Sequence, residues 1–295
     1  KIEEYNAIFG QQQIENISST LSMISCKNKI EKISDSIYKV DGEVIEVPAK
    51  FENNRLVDVH GIGTFETYPS NDSTRYLKEF GLDENISIYK GLLRFAGYCN
   101  TMTNLLKVKL IEKTEEKSFE NTTYSQFISE LVGSSTTEDI KMKFEKSLGM
   151  EMNDDFVEKL EWLGLFDNVQ VSINSDTNSN LLVDLMLKKM AYEPYEKDMI
   201  IVHNEMVIEF SDRKEKRISS MLNESIPYGD SAMARAVSLP PAIAAKLILE
   251  GKIKSKGVCM PSTKEMYEPI LEEMETLGFS FKKETIMLDD NNNLL

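Results

Sequence analysis

The sequence predicts an α+β fold, a mixed or antiparallel sheet with a helical insert between its two halves. Three observations carry this. Strand-like runs with turn chemistry fill the chain up to about residue 97. Residues 98–194 place apolar side chains at helical spacing, and strand character returns from residue 195 onward. The expected organisation is therefore one α+β domain, residues 1–97 and 195–295, interrupted by a helical insert, residues 98–194, of ordinary domain size.

Each element has a local reason. Within residues 9–38, Ile14, Ile17, Leu21 and Ile24 recur at helical intervals. Val40-Asp41-Gly42-Glu43-Val44 is a hairpin signal, Asp-Gly between apolar runs. Leu56 to Thr64 reads as a strand with turn glycines. Tyr68-Pro69-Ser70-Asn71-Asp72-Ser73 is a turn, because proline fixes φ and the short polar side chains close on their own backbone. A short helical piece ends at Gly81. Ile86-Ser87-Ile88-Tyr89 alternates like a strand with one buried face and runs on into Lys90 to Phe95. Arg94 sits there among apolar neighbours. A buried guanidinium needs an anion, since an unpaired one is very costly. The partner is either an internal carboxylate or a carboxylate ligand held by the planar fork.

In the insert, Leu105, Leu106, Val108 and Leu110 form one apolar cluster. Phe127, Leu131 and Val132 mark a helix stopped by Gly133. Thr137-Glu138-Asp139 caps a third, with Ile140, Phe144 and Leu148 on one face. Asn153 caps a fourth, which carries Phe156, Leu160 and Leu163 and ends at Gly164. Ser175 to Asn180 reads as a polar connector before a helix at Leu181 to Leu187. Beyond the insert, Met199 to Val202 and Val207 to Phe210 read as strands. Ser211 to Lys216 is a charged turn and Arg217 to Leu222 a returning strand. Pro240 and Pro241 suit the first turn of a helix that runs to Leu249. Lys264 to Leu277 is amphipathic, and Phe279 to Leu288 suits an edge strand.

Composition narrows the chemistry. The chain has 295 residues, 41% of them hydrophobic, enough for a proper core. Its net charge of −15 argues against nucleic acid, which demands a basic face, and against anionic membrane surfaces. An acidic chain still binds a multiply charged acid in a local basic pocket. Cys26, Cys99 and Cys259 make no CxxC pair and fit a reducing compartment. No uninterrupted run of 18 apolar residues suggests a membrane span, and Lys1-Ile2-Glu3-Glu4 does not read as a signal peptide. The expected location is the cytoplasm, with the mitochondrial matrix as the alternative.

Familiar motifs are weak. Gly61-Ile62-Gly63 lacks the third glycine of a dinucleotide loop, the position being Glu66, and reads as a turn. His60 and His203 are isolated and make neither a metal site nor a triad, so no metal is expected. Cys99 reads as a packing residue. The small residues from Tyr228 to Ala234 open a helix whose N–H groups attract anions or allow close packing, and packing is the simpler reading.

Several segments together resemble the saccharopine dehydrogenases. Tyr68-Pro69-Ser70-Asn71-Asp72-Ser73-Thr74 resembles their YPNRDST turn, and Lys90 to Tyr98, KGLLRFAGY, their RGTLRYxGY segment. Glu161 to Phe166, Glu196 to Ile200, Gly229 to Lys246 and Ser262 to Leu271 also match, in family order. The resemblance implies an enzyme of lysine metabolism that interconverts saccharopine with glutamate and aminoadipate semialdehyde by hydride exchange with NAD or NADP. It implies substrate contacts at Asn71, Leu92, Leu93 and Arg94, with Arg94 as a carboxylate clamp, and a homodimer. It also implies that an N-terminal Rossmann domain, which holds the cofactor, is missing from this chain, so that no cofactor-binding residue is expected here and the catalytic acid/base stays unassigned. Two departures stand out. The arginine of the family turn is Asn71, with Arg75 four residues on, and the threonine of the strand is Leu92. A related reductase acting on another imine, such as a polyamine conjugate, and a non-catalytic binding module are the alternatives.

Overall fold

The computed structural model describes residues 2–13, 35–48, 51, 53–111, 117–149, 155–171 and 177–289. The chain divides into two compact units. The first contains strands β1 (Ile2–Gln13), β2 (Ser36–Val40), β3 (Glu43–Val47), β4 (Arg55–Val59), β5 (Gly63–Pro69) and β6 (Ser87–Arg94) with the short helix α1 (Arg75–Glu79). It also contains β7 (Asp198–Glu209), β8 (Lys214–Glu224) and β9 (Lys282–Leu288), and two helices that we number after the helical unit's five, α7 (Ala232–Leu249) and α8 (Lys264–Thr276).

The strands form one sheet in the order β3-β2-β6-β1-β7-β8-β9, with β5 also pairing on β6 and β4 on β5. The sheet is mixed. β1 runs parallel to β6 and antiparallel to β7, and the other pairings are antiparallel. The Asp41-Gly42 hairpin forms as its sequence requires, both residues at positive φ, 51° and 81°. Gly61 and Gly63 lie at the turn between β4 and β5, so the glycine pair is hairpin chemistry.

Alternation sends successive β7 residues to opposite faces. Met199 and Ile201 join Val59, Phe65 and Leu93 in one cluster. Ile200 joins Met221 of β8 and the helix residues Ala232, Ile243, Leu247, Met266 and Met274 in another. A third cluster, Leu77, Ile86 and Ile88 with Tyr76 and Leu82 at its rim, docks α1 against the start of β6.

Several local expectations are corrected. Residues 9–13 belong to β1, while Ile14, Ile17, Leu21 and Ile24 lie outside the described residues, as does Asn153. Leu56 to Thr64 is not one strand but most of the β4–β5 hairpin. Met199 to Val202 and Val207 to Phe210 are one continuous strand, because Lys214–Glu224 pairs with β7 along its whole length. Pro240 and Pro241 sit in mid-helix. Each forfeits one backbone hydrogen bond, but Ala232 on one side of the pair and Ile243 and Leu247 on the other are buried in the same cluster, so both halves of α7 pack against one core. By length and composition α7 would also suit a membrane crossing; in this unit it packs on β7, β8 and α8.

The second unit is helical: α2 (Tyr98–Lys107), α3 (Tyr124–Leu131), α4 (Ile140–Leu148), α5 (Asp155–Leu163) and α6 (Asn178–Met190). Thr123 and Gln126 form a capping box at α3. Thr177 caps α6, so this helix begins inside the segment read as a connector. Phe144, Phe156, Leu160 and Leu163 are fully buried. Lys159 is buried among them, its ammonium on Asp155 and 3.4 Å from Thr101 Oγ1.

Candidate functional site

The residues singled out by the sequence lie on β6 and the turn that precedes α1. This turn is stitched to two strands. Ser70 N donates to Lys90 O (3.0 Å) and Lys90 N to Ser73 Oγ (3.0 Å). Ile37 N donates to Asn71 O (3.1 Å), Ser73 N to Ile37 O (2.7 Å) and Ser36 Oγ to Pro69 O (3.1 Å). Asp72 Oδ1 accepts from Thr74 N and Thr74 Oγ1, as the turn chemistry predicts. Asn71 occupies the left-handed region (φ 59°), which asparagine tolerates better than most residues, and its side chain is exposed beside Ser70.

On β6, alternation separates the three neighbouring site residues. Leu93 points into the cluster with Val59, Phe65, Met199 and Ile201, and its backbone lies between Gly10 of β1 and Thr67 of β5. Leu92 and Arg94 share the opposite face with Ile88 and Lys90. Leu92 is half-buried opposite Tyr68. Arg94 is 2% exposed. Its Nη1 donates to Leu93 O at 2.7 Å, and its cross-strand neighbour is Glu66, also buried. The structure thus gathers Leu92 and Arg94 on one face and ties the turn that carries Asn71 to Lys90, four residues back along the strand, through Ser70 and Ser73.

Sequence reading missed Lys90 and Tyr76 here. Lys90 Nζ donates to Tyr76 OH (3.1 Å), and so does Arg75 Nη2 (3.4 Å). The signal was the period-2 spacing of Lys90, Leu92 and Arg94. Gly91 also has a role that spacing alone did not reveal. A Cβ on it would lie 2.4 Å from Thr67 Oγ1 and 2.7 Å from Tyr89 OH, so two hydroxyl side chains close over a bare backbone.

Two further polar arrangements lie on β7. Asp198, 2% exposed, puts Oδ1 2.7 Å from Ala232 N and Oδ2 3.0 Å from Met233 N. The first turn of α7 is therefore filled by the protein's own carboxylate. His203 Nδ1 is 2.8 Å from Ser220 Oγ, its Nε2 is 3.3 Å from Glu205 Oε1, and Lys216 Nζ is 3.0 Å from the same oxygen. Burial pushes the Glu205 carboxyl up, but the His203 ring and the Lys216 ammonium outweigh it and hold it down to about 2. Among the described residues no glycine-rich strand–turn–helix cradles a dinucleotide.

The sequence profile of the saccharopine dehydrogenase C-terminal domain matches residues 25–279. The mitochondrial alpha-aminoadipic semialdehyde synthase of Rattus norvegicus is 32% identical over 262 residues, 84% of this chain and 28% of that protein. The saccharopine dehydrogenase [NADP(+), L-glutamate-forming] of Pyricularia oryzae is 27% identical over 264 residues, 85% of this chain and 58% of that protein. The chain thus spans between about a quarter and three-fifths of these relatives. The apo saccharopine dehydrogenase (L-Glu forming) structure from Saccharomyces cerevisiae superposes with a TM-score of 0.85 at 22% identity, covering 97% of this chain and 67% of that one, which establishes the shared fold.

Proposed function

The chain belongs to the family of the saccharopine dehydrogenase C-terminal domain, and from that premise we propose that it is the substrate-binding part of an NAD(P)-dependent saccharopine dehydrogenase. The reaction is the interconversion of saccharopine with glutamate and aminoadipate semialdehyde. The observation that carries the reading is the arrangement on β6. The turn and strand that bear the family segments are bonded into one rigid piece, with Lys90, Leu92 and Arg94 on one face. A tricarboxylate substrate needs cations held in fixed positions, and preorganised placement lowers the cost of orienting it. We assign carboxylate recognition to Arg94, with Leu92, Leu93 and Asn71 completing the substrate contacts. The protein is read as a homodimer.

The nicotinamide supplies and accepts hydride. The described residues do not fit it, having no phosphate cradle, and we assign its binding to a part of the protein outside them. What this chain contributes is binding and orientation of the carboxylates beside the carbon that exchanges hydride.

Asn71 favours a second reading. A turn without a guanidinium at that position suits an imine with fewer carboxylates, such as a polyamine conjugate, bound by a related reductase.

The test is NAD(P)H absorbance with saccharopine, on this chain and on the full reading frame that encodes it. Saccharopine-dependent reduction of NAD(P) in the full-length form supports the reading. A full-length protein that turns over a polycationic imine and ignores saccharopine overturns it in favour of the second.

A further inference from the structure

Two cations converge on one phenol beside the proposed substrate face. Tyr76 OH accepts from Lys90 Nζ at 3.1 Å and lies 3.4 Å from Arg75 Nη2. Both cations also face the Tyr76 ring, at 5.4 Å and 4.9 Å from its centroid. The ring itself is fixed. It stacks on Phe80 (5.8 Å, 12°) and packs at the rim of the Leu77, Ile86 and Ile88 cluster. The backbone of Lys90 is bonded to the turn on both sides, through Ser70 N and Ser73 Oγ.

The donor count decides what such a site suits. A phenol oxygen has two lone pairs and one proton. With Lys90 and Arg75 both donating to it, its own proton is left to donate outward. The trio therefore presents donors of three kinds, two of them charged, which matches a carboxylate and offers nothing to a cation. Lys90 shares a strand face with Arg94, four residues away, a span of roughly 13 Å at about 3.3 Å per residue. Leu92 lies between them and offers an apolar surface to a methylene chain.

We propose that Arg75, Tyr76 and Lys90 form a second carboxylate subsite. A substrate with carboxylates at both ends then lies along β6 over Leu92, one end at Arg94 and the other at Tyr76, and the two cations set the preference for a polycarboxylate. This rests on reading the protein as a saccharopine dehydrogenase, and it names the residues that do what Asn71 does not.

The experiment uses the full-length protein and four variants: Arg75→Gln, Lys90→Gln, and the charge-keeping Arg75→Lys and Lys90→Arg. Steady-state kinetics with saccharopine are measured beside calorimetric binding of saccharopine and of pimelate, a linear dicarboxylate. The neutral variants are expected to raise the saccharopine KM and weaken both bindings at least about tenfold, with kcat nearly unchanged, while the charge-keeping variants recover most of the loss. Unaltered KM and binding in both neutral variants overturn the subsite, as does a loss confined to kcat. A wild type that binds neither ligand overturns it as well. A wild type that binds pimelate through Arg75 and Lys90 but does not turn over saccharopine keeps the subsite and removes the saccharopine reading, so the two fail separately.

Discussion

The carboxylate of Asp198, on the first residue of β7, closes the N-terminus of α7, accepting from Ala232 N at 2.7 Å and Met233 N at 3.0 Å. The same residue is pinned by Ser225, whose Oγ accepts from Asp198 N at 3.0 Å and whose N donates to Asp198 O at 2.9 Å. One buried residue thus couples the sheet, the loop after β8 and the longest helix of the unit, its side chain holding the helix and its backbone the loop. Asp198→Ala leaves two helix donors unpaired, one buried at Ala232 and one half-buried at Met233. It is expected to lower unfolding stability by about 2–4 kcal/mol in a urea titration. Asp198→Asn should recover part of this, because the amide oxygen still accepts one of the two bonds. A loss under about 0.5 kcal/mol for the alanine variant would show that the helix terminus is satisfied some other way.

The elements around this tie were partly legible in the sequence, but the tie itself was not. The hairpin at Asp41-Gly42, the turn glycines at Gly61 and Gly63, the strand at Ile86 and the helices carrying Phe144 and Phe156 follow from turn chemistry and periodicity, which act over a few residues, whereas the β4–β5 hairpin reads as a single strand. The pairing of Asp198 with Ala232 joins positions 34 apart, and nothing local in Asp198-Met199-Ile200 distinguishes a cap from a solvated aspartate. The central place of β1 was invisible for a similar reason. Its run, Ile2 to Gln13, alternates poorly, and its partners β6 and β7 lie some eighty and two hundred residues downstream. In the candidate site, the sequence reading grouped Leu92, Leu93 and Arg94, whereas strand alternation sets Leu93 on the opposite face from the other two. It did not reveal Tyr76, which reaches Lys90 only because α1 folds back over β6.

Gly91 provides a separate check on the close packing of this strand. A methyl group there would meet Thr67 Oγ1 at 2.4 Å and Tyr89 OH at 2.7 Å. Gly91→Ala is expected to cost about 1–3 kcal/mol of stability, the usual range for an overpacked site. Adding Thr67→Ala should return part of the loss, since it removes the nearer of the two oxygens. Additive losses in the double variant would mean that the strain is relieved elsewhere.

Acid stability should report Glu205. Burial raises its pKa, but the His203 ring and Lys216 ammonium bring the folded value down to about 2, from 4.5 in an unfolded chain. A depressed folded value stabilises the protein above the unfolded value, and this contribution fades as the pH falls through about 4.5 towards about 2. Glu205 is partly open to solvent, so screening leaves about 1–2 kcal/mol of this contribution. Glu205→Gln is expected to lose that amount at pH 7 and to show a shallower decline between pH 5 and 3. Parallel stability curves for the wild type and the variant would assign the acid response to other carboxylates.

Arg94 is the residue on which the proposed substrate contacts turn, and its burial sharpens the test. Buried beside Leu93 O and across from Glu66, it is held in place before any ligand arrives. If it clamps a substrate carboxylate, Arg94→Ala in the full-length enzyme should weaken saccharopine binding by about 2–5 kcal/mol, the cost of truncating one partner of a buried charge pair. Folding is affected too, since the change leaves a cavity and removes the partner of a buried carbonyl. Arg94→Lys separates the two roles. Lysine keeps the charge and much of the volume but not the bidentate fork. A folded Arg94→Lys protein whose KM for saccharopine rises tenfold or more, with its melting temperature close to that of the wild type, assigns the guanidinium to the ligand. A lower melting temperature with an unchanged kcat/KM would make Arg94 an internal strut of β6, and carboxylate recognition would then fall to Arg75 and Lys90.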